Sequence, residues 1–437
     1  MSVPFPERWV ALKSLLDADR PPLDPGLYVR PRRSCADDVA AELLGSPGVS
    51  PKFLLVGPRG GGKSTELRRI WQQVREHLLV AAIDLDRSGV NAGSVGAVDL
   101  CYLGGVVFLG RLSDEQLKES LFTRLKRTYA EDNRESAGAL GSLAEALEGL
   151  AGFGAAASAA SLAMGGVAGA GMVVSGGLGL LSRGIRLLSG RKGAVPETSP
   201  LGASMQGVLG DIAHAVRTEH GHRALCLFVD GLEKMNGEAG ERFKELFQRT
   251  RLLSNAPWSA VFAAPPCTLT ETFSVDGQGW SERVVWGFGP DDLEALARLL
   301  EIRFRTAEVN APDHLGADTF QRWSEMSGGM PRHAVEMAHR AAELARRAGD
   351  SQLSAAMVEE VITWKGQALG RGLDQGHIDV LRAVLERGLL PKDERASTLF
   401  ADGRILALPP DGTLRVQRFA VHPLLQEDVA ALTVAGT

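Results

Sequence analysis

Gly57-Pro58-Arg59-Gly60-Gly61-Gly62-Lys63-Ser64 fits the pattern G-x-x-x-x-G-K-[ST] at every fixed position. The run before it, Phe53-Leu54-Leu55-Val56, reads as a short buried strand, and ELRRIWQQVREH (66–77) after it reads as a helix. Strand, glycine loop and helix in that order make a phosphate cradle. Glycines let backbone N–H groups curl around a polyphosphate, and the helix N-terminus adds its dipole. Lys63 is then expected to reach the β- and γ-phosphates and the Ser64 hydroxyl to ligate Mg2+. Thr65 is expected at the α-phosphate.

Working outward, apolar strands alternate with helices. A strand LLVAAIDLD (78–86) precedes helical segments near 94–110 and 113–130. A helix (201–219) leads to the strand ALCLFVD (224–230), and a charged helix (238–253) leads to SAVFAAP (259–265); RVVWGF (283–288) closes the series. That alternation predicts a parallel α/β sheet. A parallel sheet brings its strand C-termini beside the phosphate loop, so Asp230 is a candidate to hold the Mg2+ hydration shell. Glu233 is a candidate to polarise the attacking water. Lys63, Asp230 and Glu233 are thus the expected catalytic residues, with Ser64 and Asp230 toward the metal. Arg249 and Arg251 are candidates for a finger acting in trans, or a solvated helix end. Residues 5–20 read as a helix, and PPLDPG (21–26) as a linker. After Pro290 the pattern turns helical, over 290–305, 313–327, 331–348 and 354–369. The last segment mixes two helices with a hairpin, ILALPPDGTLRVQRF (405–419).

Composition bounds the reading. The 437 residues carry a net charge of −5, which argues against a protein that coats nucleic acid. Four scattered cysteines form no CxxC pair, the pattern of buried thiols in a reducing compartment. Glu7 and Arg8 stand where a signal peptide needs an apolar run, so a cytoplasmic location is expected. Glycine is unevenly spread: 13 of the 51 fall between Gly149 and Gly193. No charged residue occurs from Gly149 to Ser182, and small residues recur every fourth position at Ala157, Ser161, Gly165 and Gly169. Three readings of this insertion stand: an Ala/Gly helical hairpin packed on protein, membrane contact through 149–189, or an unstructured linker.

On GPRGGGKS, LFVDGLEK and Gly328-Gly329-Met330-Pro331-Arg332, the chain resembles the AAA+/STAND group of P-loop ATPases, including their origin-recognition-type relatives. The resemblance covers roughly residues 27–430. It implies a P-loop NTPase parallel sheet with a helical lid and a C-terminal winged-helix domain, and ATP or ADP with Mg2+ as cofactors. By that resemblance Pro331 lies near the adenine, Arg332 faces the γ-phosphate, and Tyr28 and Val29 pack on the base. The His422-Pro423 segment matches one that approaches the nucleotide phosphate, or is a core histidine. The implied boundaries are 1–26 for the N-terminal helix and linker, and 27–289 for the ATPase domain with its insertion near 136–196. The lid then spans 290–370 and the winged helix 371–437. Two departures, Ala263-Ala264-Pro265-Pro266 where a polar sensor is usual and the missing Asp-Glu pair, favour slow hydrolysis and a switch over a motor. The implied setting is signalling or defence, through a homo-oligomer or partner proteins. The alternatives are an origin-recognition-type DNA-binding ATPase and a membrane-engaging scaffold. The near-neutral C-terminal module argues against DNA.

Overall fold

The computed structural model describes residues 5–18, 25–46, 49–85, 95–132, 200–232, 246–247, 251–265, 279–289, 291–307, 318–350, 353–408 and 418–434. The glycine-rich insertion, Glu233, Arg249 and the hairpin turn at 409–417 lie outside the described residues. In chain order the described helices are α1 (Phe5–Leu15), α2 (Ala36–Gly45), α3 (Lys63–Val74), α4 (Ala97–Leu109), α5 (Glu115–Asp132) and α6 (Pro200–Glu219). They continue with α7 (Leu293–Thr306), α8 (Thr319–Met326), α9 (Pro331–Ala348), α10 (Ala355–Gly370), α11 (Gln375–Arg387), α12 (Glu394–Ala401) and α13 (Pro423–Val434). The strands are β1 (Lys52–Val56), β2 (Leu79–Asp84), β3 (Leu225–Asp230), β4 (Ser259–Ala264), β5 (Ser281–Val284), β6 (Ile405–Leu408) and β7 (Arg418–Val421).

Two compact units result, and one of them holds the sheet, Cys35–Val56 with Glu66–Arg283. Its strand order is β2-β3-β4-β1-β5, and the pairs β2/β3, β3/β4 and β1/β4 are parallel. Every residue of β1 and β4 is buried, as strands covered on both faces require. That is why KFLLV and SAVFAA read as continuous apolar runs with no alternation. α4 is almost wholly buried, and its one acid, Asp99, is satisfied by Gly96 N–H at 2.7 Å and Tyr129 Oη at 2.6 Å. Lys52 is buried at the start of β1 and donates to the carbonyls of Ser50 (3.2 Å), Ala256 (3.0 Å) and Trp258. Burial pulls its pKa down to about 8, so the expected apolar strand begins on a structural cation.

The other unit joins Met1–Ser34, Gly57–Thr65 and Val284–Thr437. Its core gathers Trp9 and Leu12 of α1, Leu16 just beyond it, Leu296, Leu300 and Phe304 of α7, Trp323 of α8, and the alanine face of α9. α9 runs over the expected 331–348 because Pro331 pre-sets its first turn and Gly349, at φ +71°, ends it. The last module has α11 and α12 followed by β6 and β7 paired antiparallel, the helix-helix-wing arrangement expected from the sequence. The RVVWGF run departs from expectation. Its strand stops at Val284, because Gly287 (φ +70°) and Gly289 (φ +59°) turn the chain toward the lid. Among the described residues no helix is long and apolar enough to cross a membrane.

Candidate nucleotide site

The phosphate loop closes on itself and on the unit that contains it. Gly61 N–H donates to Pro58 O at 3.1 Å, forming a tight turn. Lys63, 4% exposed, donates from Nζ to Gly57 O (2.8 Å) and Pro58 O (3.0 Å). Its ammonium is therefore held inside the loop by the carbonyls that frame it. Gly60 and Gly62 adopt φ of +82° and +104°, in the left-handed region that favours glycine. A Cβ at Gly60 would lie 2.4 Å from Arg332 Cβ, whereas one at Gly62 would meet nothing within 4 Å. Ser64 and Thr65, in the first turn of α3, are half-buried, and the Arg59 side chain is exposed.

The lid turn 328–332 is built against this loop. Arg332 N–H donates to Gly60 O at 3.4 Å, and an Arg332 terminal nitrogen donates to Ala18 O at 3.4 Å. Phe288 N–H donates to Gly329 O at 3.0 Å, which seats the turn on the chain leaving β5. Pro331 opens α9 directly beyond it. The structure thus brings Gly57–Thr65, Pro331 and Arg332 together in one unit. Tyr28 and Val29 follow the 3-10 turn Pro25–Leu27 and are half-buried. The segment after them is pinned at Arg32, whose N–H donates to Asp292 Oδ2 at 2.7 Å at the start of α7.

The wing module reaches the same loop by its backbone. Arg59 N–H donates to Ala401 O at 2.8 Å, at the end of α12. A Cβ at Gly328 would lie 2.4 Å from Leu406 Cδ1 and 2.9 Å from Pro423 Cδ, so lid turn and wing interlock. His422 is fully buried, with its Nε2 3.1 Å from His333 Nδ1. Leu424 N–H donates to His422 Nδ1 at 3.3 Å, which places the His422 proton on Nε2, the nitrogen that faces His333. Of the two readings of His422, the core histidine is the one observed. Burial holds both rings neutral and takes His422 down to about 3, with Lys365 adding to the shift.

In the sheet unit, Asp230 ends β3 and is half-buried, with one carboxylate oxygen accepting from Gly231 N–H at 3.0 Å. Register places Asp84 of β2 directly beside it, a second strand-end carboxylate that the sequence reading did not single out. Through β4, Phe228 of β3 and Phe53 of β1 both stand level with Val261, so Asp230 ends level with Leu55. The neighbouring β4 ends in Ala263 and Ala264, both buried, with no polar side chain there. Among the described residues no group of three or more His, Cys, Asp or Glu is placed to hold a metal ion.

No family model and no curated protein matches the chain. Among solved structures it is similar to the Aeropyrum pernix ORC2 protein in its ADPNP–ADP complexes, at 14% identity and a TM-score of 0.41 over 96% of this chain and 98% of that one. The Thermotoga maritima RuvB Holliday junction branch migration motor is similar at 11% identity and 0.38, over 96% and 98%. The Walker-type ATPase of Pyrococcus abyssi is similar at 14% and 0.40, over 93% and 99%.

Proposed function

We propose that this chain is an ATP-binding, slowly hydrolysing nucleotide switch of the AAA+/STAND type, acting in signalling or defence through self-association or partner proteins. The observation that carries it is the strand–loop–helix cradle at Gly57–Thr65, with Lys63 folded into it and the lid turn Pro331-Arg332 packed upon it. In this reading the loop amides and Lys63 bind the β- and γ-phosphates, Tyr28 and Val29 flank the adenine, and Arg332 exchanges its main-chain acceptor for the γ-phosphate. In this reading the Ser64 hydroxyl and the Asp230 carboxylate are each hard oxygen ligands of the kind Mg2+ takes. The ion would supply charge neutralisation between phosphates. Glu233 orients the water, and slow turnover follows from the apolar end of β4, where no sensor side chain helps it.

The experiment has two parts. Calorimetry with MgATP and MgADP on the intact protein is expected to give saturable binding, and its absence rejects the reading. Glu233→Gln is expected to retain ATP while losing turnover, and turnover at the parent rate rejects the role given to Glu233. The DNA-binding alternative is weakened by pairing within the wing module. Arg382 lies 3.3 Å from Asp379, Arg395 3.9 Å from Asp393, and Arg404 4.0 Å from Asp402. Basic residues that already face carboxylates offer little counterion release to a phosphate backbone.

A further inference from the structure

Arg303, in the last turn of α7, is 5% exposed, and its Nε is sealed from solvent with no acceptor. Among the described residues no hydrogen bond or ion pair reaches its guanidinium. The nearest carboxylate on its own helix is engaged elsewhere, since Glu301 accepts from Arg305 at 2.6 Å. Even the half-buried Arg217, with a sealed Nε, finds an acceptor, donating from Nη2 to the Pro257 carbonyl. A buried guanidinium whose Nε finds no acceptor among the described residues is unfavourable, and an acceptor brought by a ligand is one arrangement that would satisfy it. Burial takes Arg303 down only to about 10, so the group is cationic at neutral pH, and Tyr28 lies near enough to interact with it.

Location narrows the ligand. Residues 25–32 run along α7: the 3-10 turn Pro25–Leu27 packs on the helix, and Arg32 is bonded to Asp292 at its start. Tyr28, directly after that turn, lies within electrostatic reach of Arg303, with Val29 next to it in the chain. We propose that Arg303 is a base-recognising residue, donating a guanidinium N–H to a ring-nitrogen acceptor of a purine held against Tyr28 and Val29. This deepens the nucleotide reading above and rests on it. A guanidinium offers only donors, so it selects the aza acceptors of the ring and not the exocyclic amine.

The test uses Arg303→Met, which keeps the volume and removes the charge. The expected result is at least a tenfold loss of affinity for ATP and ADP, with inorganic tripolyphosphate binding unchanged. The melting temperature of the nucleotide-free protein is expected to stay level or rise, because an unpaired buried charge has gone. Affinity for ATP equal to the parent overturns the proposal. So does a lowered melting temperature with both ligands weakened together, which marks a purely structural arginine. The unmodified protein supplies a second measurement: among 1-, 3- and 7-deaza-ATP, one analogue is expected to bind at least tenfold more weakly than ATP. That discrimination is expected to vanish in Arg303→Met, and equal binding of all three by the parent protein overturns the proposal. If the parent protein binds neither ATP nor tripolyphosphate, the nucleotide reading falls with it; if it binds both and Arg303→Met changes nothing, the inference about Arg303 falls alone.

Discussion

Two glycine turns stand in one unit and meet opposite demands. At Gly62, φ is +104° and the place a Cβ would occupy is open. At Gly329, φ is +77° and a Cβ would lie 2.9 Å from Gly289 N, a backbone atom that cannot swing aside. Both positions need glycine for conformation, but only one needs it for packing. An open left-handed glycine in a phosphate loop leaves room for something outside the chain, whereas a crowded one serves the fold. The difference teaches that glycine content by itself reports neither binding nor stability. The space around each missing side chain does.

The comparison is broken most severely at the lid. Gly329→Val combines an unfavourable φ with overpacking and is expected to destabilise its unit by about 3–5 kcal/mol, read from urea unfolding. A loss under about 1 kcal/mol would mean that the turn relaxes and the crowding is not rigid. Lys63→Ala probes the other side. Nucleotide affinity is expected to drop at least about a hundredfold, or roughly 2.7 kcal/mol, measured by titration calorimetry. Its stability cost is expected to stay below that of Gly329→Val, since what is lost is the pair of hydrogen bonds to Gly57 O and Pro58 O. Gly62→Ala sharpens the contrast within the loop. Stability is expected to fall by only about 1–2 kcal/mol, the conformational cost of φ above zero, because no atom is in the way. Nucleotide affinity is expected to fall about tenfold or more, as a methyl then occupies the approach to the phosphates. Unchanged affinity in Gly62→Ala would show that the open space is not where the ligand lies.

How much of this was readable beforehand depends on whether a feature is set locally or by tertiary contact. The cradle at 57–64 is a local requirement on backbone and spacing, so its strand and helix fell where expected. α9 was equally legible, with proline at one end and glycine at the other. The strand expected over 283–288 was not, because an apolar run looks alike whether it ends a strand or turns into a lid. What decides it is Gly329 O waiting for Phe288 N–H, a partner about 40 residues away. Arg303 and His333 were invisible for a similar reason. On α7 an arginine among leucines reads as the solvated face, and only tertiary packing makes it buried. Asp84 went unremarked because its significance is its register with Asp230, which no single strand carries.

The smallest effect tests whether lid and wing share one fate with the crowded turn. His333 and His422 are held neutral by burial, with Lys365 acting on both and Arg332 acting on His333. Their folded pKa values lie below that of an unfolded histidine, near 6.5. The stability they contribute is therefore fully present above about pH 6.5, and it is lost as pH falls toward about 3, where His422 itself takes a proton in the folded state. One unit below 6.5 the loss is about 1.4 kcal/mol for each histidine. Urea midpoints at pH 7.5 and 5.5 are expected to differ accordingly, and His422→Gln is expected to flatten the difference by removing one of the two groups. The other histidines are present in both proteins, so the change in slope belongs to this pair. An identical slope in the variant would mean that the two rings are reached by water before the unit unfolds. The interlock of Gly328 with Leu406 and Pro423 would then open as a local event, separate from the loss of the crowded Gly329 turn.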